Sequence, residues 1–249
     1  MADARRPHIW GLVAARAGAR GAAVSAADAC EVAVAVAGVD GAWLTAMSDP
    51  ARRVLVHATG AKAAELEELQ FALGEGPCVD AFASGTLVLV PELGAAGWRA
   101  RWPGFAVAGA AAGAGAVFAF PLVSGAIRVG ILGLYRDAPG LLSPAALADV
   151  LVCADLTRQL VLSSRAAVDG DGDGAVRNGW ARDGWPDDHA QVYQATGMIS
   201  VQRGVGLEEA LALLRAYAFT HERALGEVAA AVVERRLRLD DDDADEPAK

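Results

Sequence analysis

Apolar positions follow two different periods along this chain. Up to about residue 164, short strand-like runs alternate with helical ones; beyond residue 189 only the helical period remains. Ser25 is placed to cap a helix over residues 26–36, with Asp28 and Glu31 near its N-terminal dipole. Residues 42–47 and 53–59 read as strands joined by Ser48-Asp49-Pro50-Ala51-Arg52, a turn sequence. Residues 61–72 form a charged amphipathic helix that Gly74-Glu75-Gly76-Pro77 ends, and Pro77 opens a short helix to Phe82. A strand over 86–90 stops at Pro91, and residues 95–111 are helical with a break at Pro103. Residues 116–122 and 128–135 form a hairpin across Ser124-Gly125-Ala126, and Ser143-Pro144 starts a long helix to about Ser164. Residues 1–24, rich in Ala, Gly and Arg, leave a helix and an irregular lead-in both open.

This order lacks the strict strand–helix alternation of a doubly wound parallel fold. It predicts an α+β class, an antiparallel sheet with packed helices. The C-terminal stretch is different. Val192, Ala195, Ile199 and Gln202 share one helical face before Gly204; Leu207, Ala210, Leu211, Leu214 and Ala218 share a second; Leu225, Val228, Ala229, Val232 and Val233 share a third. Each stripe is too small to be buried alone, so an all-α three-helix bundle is expected.

Charge separates these regions further. The formal net charge is −9, yet residues 189–239 hold 6 Arg against 5 Glu, net +1, whereas residues 1–164 taken together are net −2. Residues 165–188, with Asp169-Gly170-Asp171-Gly172-Asp173-Gly174 at their centre, have the composition of a linker. The same run opens like a calcium loop, but its ninth and twelfth positions are Arg177 and Trp180, so no metal site is expected. Residues 240–249 carry six carboxylates and read as an acidic, solvated tail. The expected organisation is a lead-in over 1–24, a sensor-like domain over 25–164, the linker over 165–188, the bundle over 189–239 and the tail over 240–249.

Compartment follows from smaller signals. Cys30, Cys78 and Cys153 are odd in number and contain no C-x-x-C pair, which fits a reducing cytoplasm. Arg5 and Arg6 precede Ile9 and Trp10 as in a twin-arginine signal, but Arg16 and Arg20 interrupt the apolar run. Residues 102–127 carry no charge, yet Pro103, Pro121 and five glycines point to a buried helix and strand rather than a membrane span.

Two families are recognisable in these residues. Ala195-Thr196-Gly197-Met198-Ile199, Leu207-Glu208-Glu209-Ala210, Leu214-Arg215-Ala216-Tyr217-Ala218 and Leu225-Gly226-Glu227-Val228-Ala229 resemble the ANTAR domain, a family of RNA-binding transcription antiterminators. Many members carry a basic residue where this chain has Thr196, and a Ser, Thr or Asp cap where it has Gly206. Leu73-Gly74-Glu75-Gly76-Pro77-Cys78, Arg101-Trp102-Pro103-Gly104-Phe105, Phe120-Pro121-Leu122 and Gly130-Ile131-Leu132-Gly133-Leu134-Tyr135 resemble a GAF domain, a small-molecule or redox sensor module. A GAF-like domain ahead of an ANTAR-like one is typical of actinobacterial regulators.

Candidate residues follow from both readings. For RNA they are Arg203, Arg215, His221, Arg223, Arg235, Arg236 and Arg238, with Tyr193 and Tyr217 as stacking surfaces. Ala224, Leu225, Gly226 and Glu227 at the start of the third helix suit a DNA major groove poorly, which favours RNA. Trp43, Cys78, Trp98 and Trp102 are candidates to line a ligand pocket. Cys78, at a helix N-terminus, is a candidate thiolate and oxidant sensor, with a small buried hydrophobe as the alternative. No cofactor is indicated. His8, His57, His189 and His221 lie far apart, and no hydrolase or phosphate-binding motif occurs, so no enzyme is expected. Reduction of free methionine sulfoxide, known in some GAF-like proteins, is the weakest alternative.

The expected protein is a cytoplasmic, signal-gated antitermination regulator that binds hairpin loops of nascent transcripts. A signalling module that acts through protein partners without RNA is the alternative, consistent with Thr196 and the low charge. Leu147, Val150, Leu151, Ala154, Leu160 and Val161 exceed what one face of the long helix needs, which suggests a homodimer.

Overall fold

A computed structural model describes residues 4–49, 52–169 and 188–239. The chain divides into two compact units, one built on the sheet and one on the C-terminal helices.

In the first unit the N-terminal question resolves to a helix, α1 (Arg5–Ala19), whose buried Ile9, Val13 and Ala17 repeat every four residues. Arg5 pairs with Asp149 at 2.5 Å, and Arg6 pairs with Asp155. Helix α2 (Ala26–Ala37) starts on a reciprocal capping box between Ser25 and Asp28, and Gly38 ends it in the left-handed region at φ 59°. Burial alone would raise the Asp28 carboxyl, but hydrogen bonds from Arg20 and Ser25 hold it below its usual value.

The sheet contains β1 (Gly41–Asp49), β2 (Arg52–Ala58), β3 (Val88–Val90), β4 (Ala116–Ser124) and β5 (Ile127–Arg136). Their order is β2-β1-β5-β4-β3, and every neighbouring pair is antiparallel. Alternation along β1 sends Ala42, Leu44 and Ala46 to one face and Trp43, Thr45 and Met47 to the other. On the first face, Leu44, Phe118, Phe120, Leu132 and Leu134 pack with α2 and α7 (Pro144–Asp169) through Ala29, Ala33, Val150 and Cys153. Alanines on α2 let that helix lie close to α7. The long helix runs to Asp169, five residues past the expected end.

The remaining helices are α3 (Ala61–Leu73), α4 (Pro77–Ser84), α5 (Ala96–Arg101) and α6 (Pro103–Ala111). Pro103 does break the helical stretch, and Trp102 sits at the break. Glu75 then accepts from the backbone N–H groups of Gly104 and Phe105 at 2.7 and 2.8 Å, satisfying the new helix start. Gly133 lies opposite Trp43 across the β1–β5 ladder. A Cβ there would come within 2.2 Å of the Trp43 ring, so only glycine leaves room for the indole. The uncharged stretch over 102–127 becomes α6 and β4, as the glycines and prolines predicted. No helix among the described residues is long and apolar enough to cross a membrane.

The second unit holds α8 (Asp188–Arg203), α9 (Leu207–Thr220) and α10 (Leu225–Val233). Val192, Ala195, Ile199, Ala210, Leu211, Leu214, Ala218, Leu225, Val228, Ala229 and Val232 are all buried, as the stripes predicted. Three stripe positions depart. Gln202 and Leu207 are exposed and Val233 is half-buried, each at or near a helix end where the neighbouring helices no longer cover it. The calcium-loop-like run over 169–180 begins at the last residue of α7, and the rest of it lies outside the described residues.

Candidate nucleic-acid interface

One groove marks the second unit. It encloses about 540 Å³ and is lined on one side by Gln194, Gly197, Met198, Val201 and Gln202 of α8. These are i, i+3, i+4, i+7 and i+8, a single helical stripe beside the core-facing one. The opposite wall is Val232 at the end of α10 with Arg235, Leu237 and Arg238 beyond it. That segment is shaped by backbone geometry. Arg235 adopts φ 60°, the left-handed conformation that glycine usually supplies after a helix. The N–H groups of Arg235, Arg236 and Leu237 turn back onto the carbonyls of Val232 and Ala231 at 2.8–3.0 Å. Arg203 then donates to the Leu239 carbonyl at 3.2 Å, holding the chain end against α8.

The nine RNA candidates do not form one surface. Arg235 and Arg238 meet in the groove, while Arg236 is taken up by Glu234 at 2.5 Å. Tyr217 and His221 stack at 3.9 Å near the α9–α10 turn, where Arg223 is exposed. Arg203 and Arg215 are half-buried, and Tyr193, also half-buried, meets His189 edge-on at 6.3 Å. Thr196, where the ANTAR resemblance leads to the expectation of a basic residue, is buried and donates to the Val192 carbonyl at 2.7 Å. Its side chain faces the bundle core, so the departure takes no cation from the surface of this chain. Gln194 and Met198 were not among the RNA candidates, and Gln202 was placed on the core stripe, although their common spacing on α8 was readable in the sequence.

The four pocket candidates lie in or at the edge of the interior of the first unit. Trp43, Cys78 and Trp102 are buried, and Trp98 is half-buried, stacked on Trp102 at 5.1 Å with 8° between planes. The Trp102 indole N–H reaches Asp80 at 3.2 Å. Burial pushes the Cys78 thiol up to about 12. Its position at a helix N-terminus therefore does not make it a thiolate near neutral pH. Cys153 is likewise raised to about 12 by burial, and Cys30 is raised further. All three are free thiols in the core.

Around Cys78 lies a polar set that periodicity concealed. Arg53 and Glu67 are both buried and sit 3.5 Å apart, with the Arg53 guanidinium 4.7 Å from the centre of the Phe71 ring. Gln70 accepts from the Cys78 backbone N–H at 2.8 Å and donates to the Leu66 carbonyl at 3.2 Å. On α3 the buried positions are Ala63, Leu66, Glu67, Gln70 and Phe71, a regular core stripe in which two members are polar. That mismatch was the available signal.

Comparison with known proteins bears on both units. Residues 186–233 match the family model of the ANTAR domain. No curated protein matches the chain. Among solved structures, similarity extends to the GAF domain of an Acinetobacter phosphoenolpyruvate-protein phosphotransferase (13% identity, TM-score 0.48, 68% of this chain and 98% of that one). It extends also to a GAF domain, GAF3, from Synechocystis (16%, 0.46, 57% and 94%). A third is the GAF-B domain of DevS from Mycobacterium smegmatis (16%, 0.39, 57% and 93%). Within the C-terminal unit, the residues similar to the ANTAR domain span all three helices, α8 to α10. The unit before it has a five-stranded antiparallel sheet with flanking helices.

Proposed function

We propose that this protein is a cytoplasmic, signal-responsive transcription antitermination regulator. Its C-terminal helices bind hairpin loops of nascent RNA, and its α/β unit gates that binding in response to a small molecule or redox signal. The observation that carries the RNA reading is the groove of the ANTAR unit, where two exposed arginines flank an apolar floor. Arginine serves phosphate and base alike, and unstacked loop bases are the usual sequence-specific RNA target. For the gate, the buried polar set around Arg53 and Glu67 supports recognition of a small polar molecule. The raised Cys78 thiol favours that ligand over direct oxidation.

We also read the protein as a homodimer. On α7, Leu151 remains 46% exposed, and on α1, Trp10 is 43% exposed. Apolar area left on helices that border the sheet suits pairing between two copies. Sedimentation at micromolar concentration should give twice the chain mass; a single-chain mass contradicts it.

The functional test starts from RNA recovered with the intact chain from its own cell extract. Transcription in vitro through a template encoding that hairpin and its terminator should read through more often when the protein is added. Arg238→Glu should abolish the gain. Unchanged read-through with the native protein contradicts the proposal. A module that works through protein partners alone draws on exposed Phe219 and Val201, 69% and 84% accessible. It predicts no RNA in the recovered material.

A further inference from the structure

Two features of the groove run against the stability of the unit that carries it. The first is Gly197, in the middle of α8, where glycine weakens a helix relative to alanine. Close packing does not require it, because an added Cβ would meet nothing within 4 Å. The second is Arg235, which holds a left-handed conformation that glycine would adopt without strain. Glycine stands where alanine would be more stable, and arginine stands where glycine would be. Both residues line the same groove. Strain collected at one place points to function there.

The chemistry of the walls names the occupant. Met198, Val201, Val232 and Leu237 supply apolar surface for the face of a flat ring, and Gly197 leaves the floor open. Gln194 and Gln202 present amides that both donate and accept, while Arg235 and Arg238 present cationic forks. Glutamine and arginine are the side chains that pair with the hydrogen-bonding edges of purines, and arginine also takes the adjoining phosphate.

Building on the RNA reading above, we propose that this groove receives one unstacked nucleobase of the hairpin loop. Gln194 and Gln202 read its edge, and Arg235 and Arg238 hold its backbone. Gly197 is the specificity-determining position, because any side chain there occupies the space of the ring.

The test uses the full chain and hairpin RNAs with randomised loops, from which the tightest binder is selected. Each loop position of that hairpin is then replaced by an abasic nucleotide. One position should lower affinity by about ten-fold or more, in keeping with a stacked base. Gly197→Ala should raise the melting temperature yet weaken binding to the native hairpin by a similar factor. Abasic replacement at the sensitive position should then cause no further loss in Gly197→Ala. A merely structural glycine would not give opposite signs for folding and binding. Native affinity in Gly197→Ala, or binding indifferent to every abasic replacement, overturns the groove assignment while leaving RNA binding intact. Failure of the native chain to select any hairpin overturns both.

Discussion

The two units of this protein place their polar chemistry in opposite environments. In the α/β unit, Arg53, Glu67 and Gln70 lie in the interior beside Phe71, Cys78 and Trp43, away from bulk water. In the ANTAR unit the interior is Ala, Val, Leu and Ile, with Thr196 its one buried polar residue among those described, and its arginines are exposed or half-buried. A charge inside a protein is costly unless paired, so removing one member of the Arg53–Glu67 pair is expensive. A charge at the surface is cheap and screened by salt, which suits contact with a polyanion. The two units thus differ in dielectric environment as well as in sequence pattern.

The strongest way to break this contrast is to remove one half of the buried pair. Glu67→Leu leaves Arg53 without its carboxylate and should destabilise the chain by about 3–5 kcal/mol in urea unfolding. Loss below about 1 kcal/mol would mean that Arg53 is already solvated, and the interior is not the low-dielectric site described. Gly133→Ala tests the packing around the same interior. The new methyl group would collide with the Trp43 ring, for an expected cost of about 1–3 kcal/mol. A neutral result would show that Trp43 has room to move and that the packing against Gly133 is loose.

The surface unit should respond more to salt than to packing. Residues 240–249 bring six carboxylates to the chain directly after Leu239, whose carbonyl Arg203 holds. Deleting them should tighten RNA binding a few-fold at low salt and hardly at all at physiological salt, since screening acts over about 8–10 Å. Equal affinities at low salt would reduce the tail to a spacer. The smallest expected effect is at Cys78. With its thiol pushed up to about 12, alkylation of the native chain near pH 8 should leave Cys78 unmodified. Rapid modification would restore the oxidant-sensor reading.

Most of the element order was legible because each helix or strand carries its own period, and breaks such as Pro77, Pro103 and Gly204 are local signals. The three stripes of the ANTAR unit predicted its core almost residue by residue for that reason. The buried Arg53–Glu67 pair was obscured because charged side chains ordinarily mark a helix face as solvated. Only the third dimension places Glu67 in the core stripe of α3 and Arg53 against it. The RNA candidates were chosen by charge, which cannot show which arginines share a surface; Arg236 turns to Glu234, while Arg235 and Arg238 share the groove. Cys78 is buried, in keeping with the small-hydrophobe reading rather than the thiolate one. Its helix N-terminus was read correctly, but burial outweighs the helix dipole.

The account depends above all on RNA binding by the ANTAR unit. The direct measurement is the affinity of the full chain for its selected hairpin at several salt concentrations between 50 and 200 mM. Two to four arginine–phosphate contacts predict a log–log slope of about −1.4 to −2.8 for single-stranded loop RNA. Replacing Arg238 by Ala should make that slope shallower by a little under one unit. Absence of salt-dependent binding even at 50 mM would contradict the account.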